Sequence, residues 1–164
     1  MILGECRKKY RKLRNATLCF LIKNDEVLLA MKKRGFGMGK WNGVGGKQNE
    51  GELIEDAMIR ETQEEISVKV RNFLLVAEIN FYFPEKPDWN QLVHVYLSDI
   101  WDGDPQETEE MAPKWFAKKE LPFSNMWSDD KFWLPDVLSG KNLKADFVFD
   151  LQNKVLAKNV VKIS

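Results

Sequence analysis

The sequence predicts an α+β domain, with helices packed on a mixed β-sheet. Three observations carry that expectation. Strand-like and helix-like segments are mixed along the chain without regular β-α-β alternation. One stretch, roughly residues 52–66, repeats its apolar positions at the three- and four-residue spacing of a helix face. The 164 residues, 44% of them apolar, suit one domain with room for a core.

The elements follow in order. "ATLCFLI" and "EVLLAMK" flank "KND", a hairpin with Asn24-Asp25 at its turn. Next comes "RGFGMGKWNGVGGK", with six glycines between Gly35 and Gly46, and then the helix at 52–66. A strand near 72–83, the loop "PEKPDWN" and the strand "QLVHVYLSD" come after it, and "PKWF" reads as another short strand. "NMWSDDKFWLPDVLSG" leads through a loop into a second helix ending at Gly140. "ADFVFDLQNKVLAKNVV" closes the chain as a hairpin.

Bulk properties exclude several classes. Charged residues make up 30% and balance to zero, which describes a soluble globular protein and argues against a polyanion as main partner. Cys6 and Cys19 have no paired spacing; they read as reduced thiols in a cytoplasmic protein, and zinc is not expected. No apolar run approaches membrane-spanning length. "MILGECRKKYRKLR" is basic but lacks the apolar segment of a secretory signal, and reads as a solvated extension. The Asn15-Ala16-Thr17 sequon is discounted for want of any other sign of secretion. His94 lies in an alternating strand and is assigned a structural role.

The first helix raises a question. Its apolar stripe, Ile54, Ala57 and Met58, continues into Glu61 and Glu65, with Glu64 about sixty degrees away. Like charges at this spacing repel by a few tenths of a kcal/mol per pair in water and cost far more near a core. Arg60 can neutralise one carboxylate but not three. A hard divalent cation, magnesium or manganese, suits the rest. A solvated acidic face is the bland alternative.

The fixed positions Gly46, Glu52, Arg60, Glu61, Glu64 and Glu65 spell G-x5-E-x7-R-E-x-x-E-E. At about 6% usage each, a chance match is on the order of one in ten million per window. This pattern resembles the Nudix box of nucleoside-diphosphate-linked hydrolases. The resemblance implies a Nudix fold, a mixed β-sheet sandwiched between α-helices, with residues 1–14 as a basic extension and 15–164 as a single domain. It implies metal ligands at Glu61, Glu64 and Glu65, with one of the three a candidate base as well, a further contact from the Gly45 carbonyl, and a Glu52–Arg60 pair fixing the loop. Two positions depart from the family. Ser67 stands where glycine is usual, so the helix exit carries a conformational cost or takes another shape. Thr62 replaces an aliphatic residue.

"MKKRGFGMGKWNGVGGK", "EEMAPKWF" and "PFSNMWSDDKFW" resemble the eukaryotic-type MutT homologues, a group of oxidised-purine nucleoside triphosphatases, over roughly residues 16–150. That resemblance implies that Asn42, Asp129 and Asp130 read the base edge, that Trp127 and Phe36 pack on the purine, and that Phe81, Phe83 and Met111 line the pocket. Thr17 and Lys32 would lie nearer sugar or phosphates, and Glu110 would add a metal carboxylate. Ser128 stands where proline is expected, and the loop around Pro84–Trp89 is slightly long, so that Trp89 can alter the rim.

Elementary chemistry agrees with those roles. An indole face stacks on a base for about 1–3 kcal/mol, and an asparagine amide offers both a donor and an acceptor. Two enclosed adjacent aspartates cannot both ionise easily, which leaves a protonated donor beside an ionised acceptor. The same pair, opening a helix, is also suited to capping it. The leading expectation is a magnesium-dependent pyrophosphohydrolase of oxidised purine nucleoside triphosphates, a monomer with a small-molecule nucleotide substrate, no stable nucleic-acid partner and no membrane. A broader nucleotide or dinucleotide hydrolase and a non-catalytic nucleotide-sensing module are the alternatives.

Overall fold

The computed structural model describes residues 2–163. The elements run α1 (Ile2–Lys9), β1 (Arg14–Lys23), β2 (Glu26–Lys32), β3 (Trp41–Asn42), α2 (Ile54–Ile66), β4 (Lys69–Tyr82), β5 (Gln91–Asp102), β6 (Met111–Ala117), α3 (Asp130–Leu138), β7 (Leu143–Phe149) and β8 (Val155–Lys162). A single turn of 3₁₀ helix at Pro87–Trp89 interrupts the loop before β5. The strands join in the order β3-β2-β1-β5-β4-β7-β8, with β6 paired to β2. The sheet is mixed: β1 runs parallel to β5 and β4 parallel to β7, whereas the β1–β2, β4–β5 and β7–β8 pairs are antiparallel. No helix of the described residues is long and apolar enough to cross a membrane.

Alternation along β1 divides the core between the two faces of the sheet. Phe20 joins a cluster with Phe81, Phe147 and, from α3, Trp133, Leu134 and Val137. Its neighbours Cys19 and Leu21 join the opposite cluster with Met58 and Ile66 of α2. The sheet is thus covered by α3 on one side and α2 on the other, as the sequence led us to expect.

The N-terminal segment departs from expectation. Residues 2–9 are not a solvated arm but a helix that buries Leu3 and Cys6 against Tyr82 and Val148. Arg7 secures it with a 2.6 Å bond to Asp146. Its basic residues share the helix with this short apolar stripe, which spans too few turns to stand out in composition.

Helix α2 is the element that carries the charged motif. Ala57, Met58, Thr62, Glu65 and Ile66 form its buried face. Thr62 satisfies its hydroxyl by donating to the Met58 carbonyl at 2.8 Å, which makes a polar side chain acceptable at a fully buried position. Ser67 ends the helix at φ 61° and ψ 35°, its N–H bonded to Gln63. The chain therefore keeps the left-handed exit that glycine normally supplies and accepts the strain of a Cβ there. Ser67→Gly should stabilise the protein by about 0.5–1 kcal/mol, the relieved strain exceeding the added freedom of the unfolded chain. A higher urea midpoint at unchanged slope is the expected result.

Candidate active site

A cleft of about 330 Å³ opens on the α3 side of the sheet. Its floor comes from β1 (Ala16, Thr17, Leu18), its glycine wall from residues 43–47, and its aromatic end from Phe36, Phe81, Phe83, Trp89, Trp127 and Phe149. All ten residues expected to bind substrate line it: Thr17, Lys32, Phe36, Asn42, Phe81, Phe83, Met111, Trp127, Asp129 and Asp130. Arg14, Lys40, Lys47, Gln91 and Phe149 line it too and were not anticipated. Two of these carried a readable signal. Lys40 and Lys47 bracket the glycine segment, as cations facing an anionic ligand would.

The glycine wall is built by close approach. Residues 43–47 lie against β1 through isolated bridges at Cys19–Val44 and Ala16–Lys47. A Cβ on Gly45 would fall 1.8 Å from the Thr17 carbonyl oxygen, and one on Gly46 2.3 Å from Glu61 Oε2. Behind this wall stands α2. The Gly45 N–H donates to Glu65 Oε1 at 2.7 Å. Arg60 binds Glu52 with two N–H groups, at 2.8 and 2.9 Å, and donates to Glu61 at 2.7 Å and to the Lys47 carbonyl at 3.0 Å. It also reaches Glu64 at 3.4 Å.

The expected Glu52–Arg60 clamp is thus present, and Arg60 serves more partners than expected. Its guanidinium holds the Glu52 carboxyl down to about 2, helped by the Asn49 N–H. Burial pushes Glu65 up to about 7, with the negative charges of Glu61 and Glu110 adding to the rise against the Gly45 N–H and Lys32. Glu61 is raised as well, first by burial, although Arg60 opposes it.

The carboxylates do not all converge. Glu65 is buried, Glu61 half-buried, and Glu64 and Glu110 are exposed. Among the described residues no three acidic, histidine or cysteine side chains are arranged around one point. The single acidic edge read from the helix therefore splits, with Glu65 on the Gly45 N–H and Glu61 and Glu64 on Arg60. The donors nevertheless fit a hard divalent cation. They are oxygens only, Glu65 and Glu61 lie against Gly45 and Gly46, and burial with mutual repulsion leaves Glu65 short of positive charge.

At the other end, Asp129 and Asp130 are almost wholly buried, at 2% and 1% exposure. Asp129 does not cap α3 with its side chain; its Oδ2 instead accepts from the Trp133 indole N–H at 2.8 Å. Asp130 Oδ2 has no partner at all. Burial pushes Asp129 up to about 6, and burial with the neighbouring Asp129 charge drives Asp130 well above the ordinary carboxylate range. Asn42 accepts the Gly43 N–H at 2.8 Å, so part of its acceptor capacity is used by its own backbone and its NH₂ is the freer group. His94 bonds Asn15 at 3.1 Å.

A family model for the NUDIX domain matches residues 12–137. The chain belongs to the NUDIX domain family. This NUDIX chain is 41% identical over 147 residues to a Mus musculus protein named oxidized purine nucleoside triphosphate hydrolase, covering 90% of the chain and 94% of the relative. It is 43% identical over 133 residues to a Danio rerio protein of the same name, covering 81% and 85%. Among solved structures, the mutator MutT protein from Bacillus halodurans superposes with a TM-score of 0.80 at 26% identity, covering 90% of this chain and 97% of that one. The mixed sheet between helices is accordingly a Nudix fold.

The aspartate pair has a pH signature. A raised carboxyl pKa means that the native state holds a proton the unfolded chain has released, so stability falls as pH rises from the ordinary carboxylate range through about 6. Urea midpoints should be lower at pH 7.5 than at pH 5, and Asp130→Asn should narrow the difference. Comparison with the parent separates the pair from Glu65, which tilts the profile the same way, and from His94, whose lowered pKa tilts it oppositely.

Proposed function

We propose that this NUDIX protein is a magnesium-dependent hydrolase of oxidised purine nucleoside triphosphates, yielding the nucleoside monophosphate and pyrophosphate. One observation carries the reading: a fully buried carboxyl with an unpartnered oxygen, Asp130, sits at the aromatic end of a cleft whose glycine wall backs onto Glu61 and Glu65. Such an arrangement recognises a base at one end and a polyphosphate at the other. The names of the mouse and zebrafish relatives support the same substrate class.

At the base end, Trp127 offers an indole face to the purine. A protonated Asp130 donates, an ionised Asp129 accepts while held by Trp133, and the Asn42 NH₂ adds a second donor. Oxidation of a purine rearranges its donors and acceptors, and this mixed set can discriminate the altered edge. Lys32, Lys40, Lys47 and Arg14 surround the cleft with positive charge that draws the phosphates in.

At the phosphate end, Glu61, Glu64, Glu65 and Glu110, with the Gly45 carbonyl, would hold the cation. When bound, it supplies neutralisation of phosphate oxygens and polarises water for attack. Arg60 and Glu52 fix the loop so that the Gly45 and Gly46 backbone stays in register with α2. Glu65, lifted to about 7, is suited to hold or release a proton near neutral pH. Water adds to a phosphorus of the triphosphate as the bridging P–O bond breaks, and the departing proton is taken up by a glutamate. Two buried, unpaired thiols support a reducing compartment such as the cytoplasm.

The test is a panel of 8-oxo-dGTP, 2-hydroxy-dATP, dGTP and dATP with magnesium, following pyrophosphate against orthophosphate. Faster turnover of the oxidised bases with pyrophosphate release is expected. Flat rates would favour a broader nucleotide hydrolase, and thermal stabilisation without turnover a nucleotide sensor. Glu65→Gln should lower kcat by about 100-fold or more, with the protein still folded. Asp129→Ala should erase base preference while leaving metal-dependent turnover of unmodified nucleotides largely in place.

A further inference from the structure

Two loops of different character meet at the mouth of the cleft. Residues 33–40 carry Phe36 between glycines at positive φ, 80° at Gly35 and 85° at Gly37 and Gly39. The loop's base is tied by Gly39 N–H to Lys32 and Lys33 N–H to Glu110, and its tip is closed only by the turn bonds Met38 N–H to Gly35 and Lys40 N–H to Gly37. Glycine offers little resistance to backbone rotation, so this loop is the adaptable partner. Phe36 at its tip is 36% exposed.

The facing loop, residues 84–90, is fixed. Pro84 and Pro87 restrict its φ angles. The Asn90 side chain accepts the Phe83 N–H at 2.6 Å, and the Trp89 N–H bonds the Lys86 carbonyl at 2.9 Å. From β1, Arg14 donates to the Asp88 carbonyl at 2.9 Å. Trp89 is thereby held with one neighbour, the Lys86 ammonium, 4.3 Å from its ring centroid. Phe36 seats against it at a centroid distance of 4.2 Å, closer than either ring's approach to Phe83.

We propose that Trp89 is a positioning residue for base recognition: it is the fixed post on which Phe36 seats, so that loop 33–40 closes the aromatic end of the cleft at a set width. This rests on the reading above that a nucleobase occupies that end. Phe36 also lies 5.0 Å from Trp127, so the seated ring is held between the post and the indole that stacks on the base. A purine presents two fused rings to an aromatic end so placed, whereas a pyrimidine presents one. Trp89 acts through Phe36, and removing the post should cost no more than removing the ring it holds.

Calorimetric titration without added metal tests this, using 8-oxo-dGMP, dGMP, dCMP and 2-deoxyribose 5-phosphate as probes. Trp89→Ala is expected to weaken 8-oxo-dGMP binding about tenfold, while changing dCMP and the sugar phosphate less than about twofold. Trp89→Phe should restore binding to within about threefold of the parent. Phe36→Ala should weaken it at least as much as Trp89→Ala, and the double variant should bind no more weakly than Phe36→Ala alone.

Additive losses, equal losses across all probes, or unchanged binding in Trp89→Ala would overturn the proposal. A parent protein that binds 8-oxo-dGMP no better than dGMP would instead defeat the oxidised-base reading, and the coupling measured with dGMP would then decide the role of Trp89. A parent that binds none of the probes would overturn both.

Discussion

Arg60 stands where α2 meets the loop before it, and its donors are divided among Glu52, Glu61, Glu64 and the Lys47 carbonyl. The rest of the glycine-lined end of the cleft depends on that sharing. Glu52 reaches back from the loop to the helix because a planar guanidinium donates to it in a two-point fork, a geometry a lysine cannot offer. With the loop so tied, Gly45 places its N–H on Glu65, and the glycine wall lies flush between β1 and the helix. Arg60, with Lys32 near Glu65, cannot balance this many carboxylates, and the shortfall is what the proposed cation would make good.

The two ends of the cleft use buried carboxyls in opposite ways. Around Gly45 and Gly46, acidic groups are crowded so that an external cation is welcome. At Asp129 and Asp130 there is crowding too, but the surroundings are indole and phenyl rings, and the inexpensive remedy there is a proton. Protonation turns an acceptor into a donor. Under the proposed function, a single residue type serves metal binding in one setting and hydrogen-bond discrimination in the other.

Much of this was legible in the sequence, and the reasons differ by element. Helix α2 could be read because its apolar period and charged motif overlap over thirteen residues. The hairpin of β1 and β2 could be read because Asn24 takes the positive φ that its turn needs. The cleft's aromatic residues were reached by resemblance, not by periodicity, since Phe81 and Phe83 alternate as on any half-buried strand. Helix α1 was missed because two buried side chains cannot outweigh its basic residues in a composition reading. Arg14 and Gln91 were missed for another reason. Their neighbourhood arises from the parallel pairing of β1 with β5, a long-range register that no local pattern encodes. Side-chain direction was the last thing hidden: spacing put Glu61, Glu64 and Glu65 on one flank of α2, but Arg60 and the Gly45 N–H decide where each carboxylate points.

The absence of any room for a Cβ at Gly45 has a genetic consequence. Every missense change of that codon drives an atom into the Thr17 carbonyl of β1, so the glycine wall tolerates no gradual remodelling there. Phe36 and Trp89 at the rim are under no such restriction, because part of each ring faces solvent. Substitution can therefore reshape the rim of the cleft while the glycine wall stays as it is.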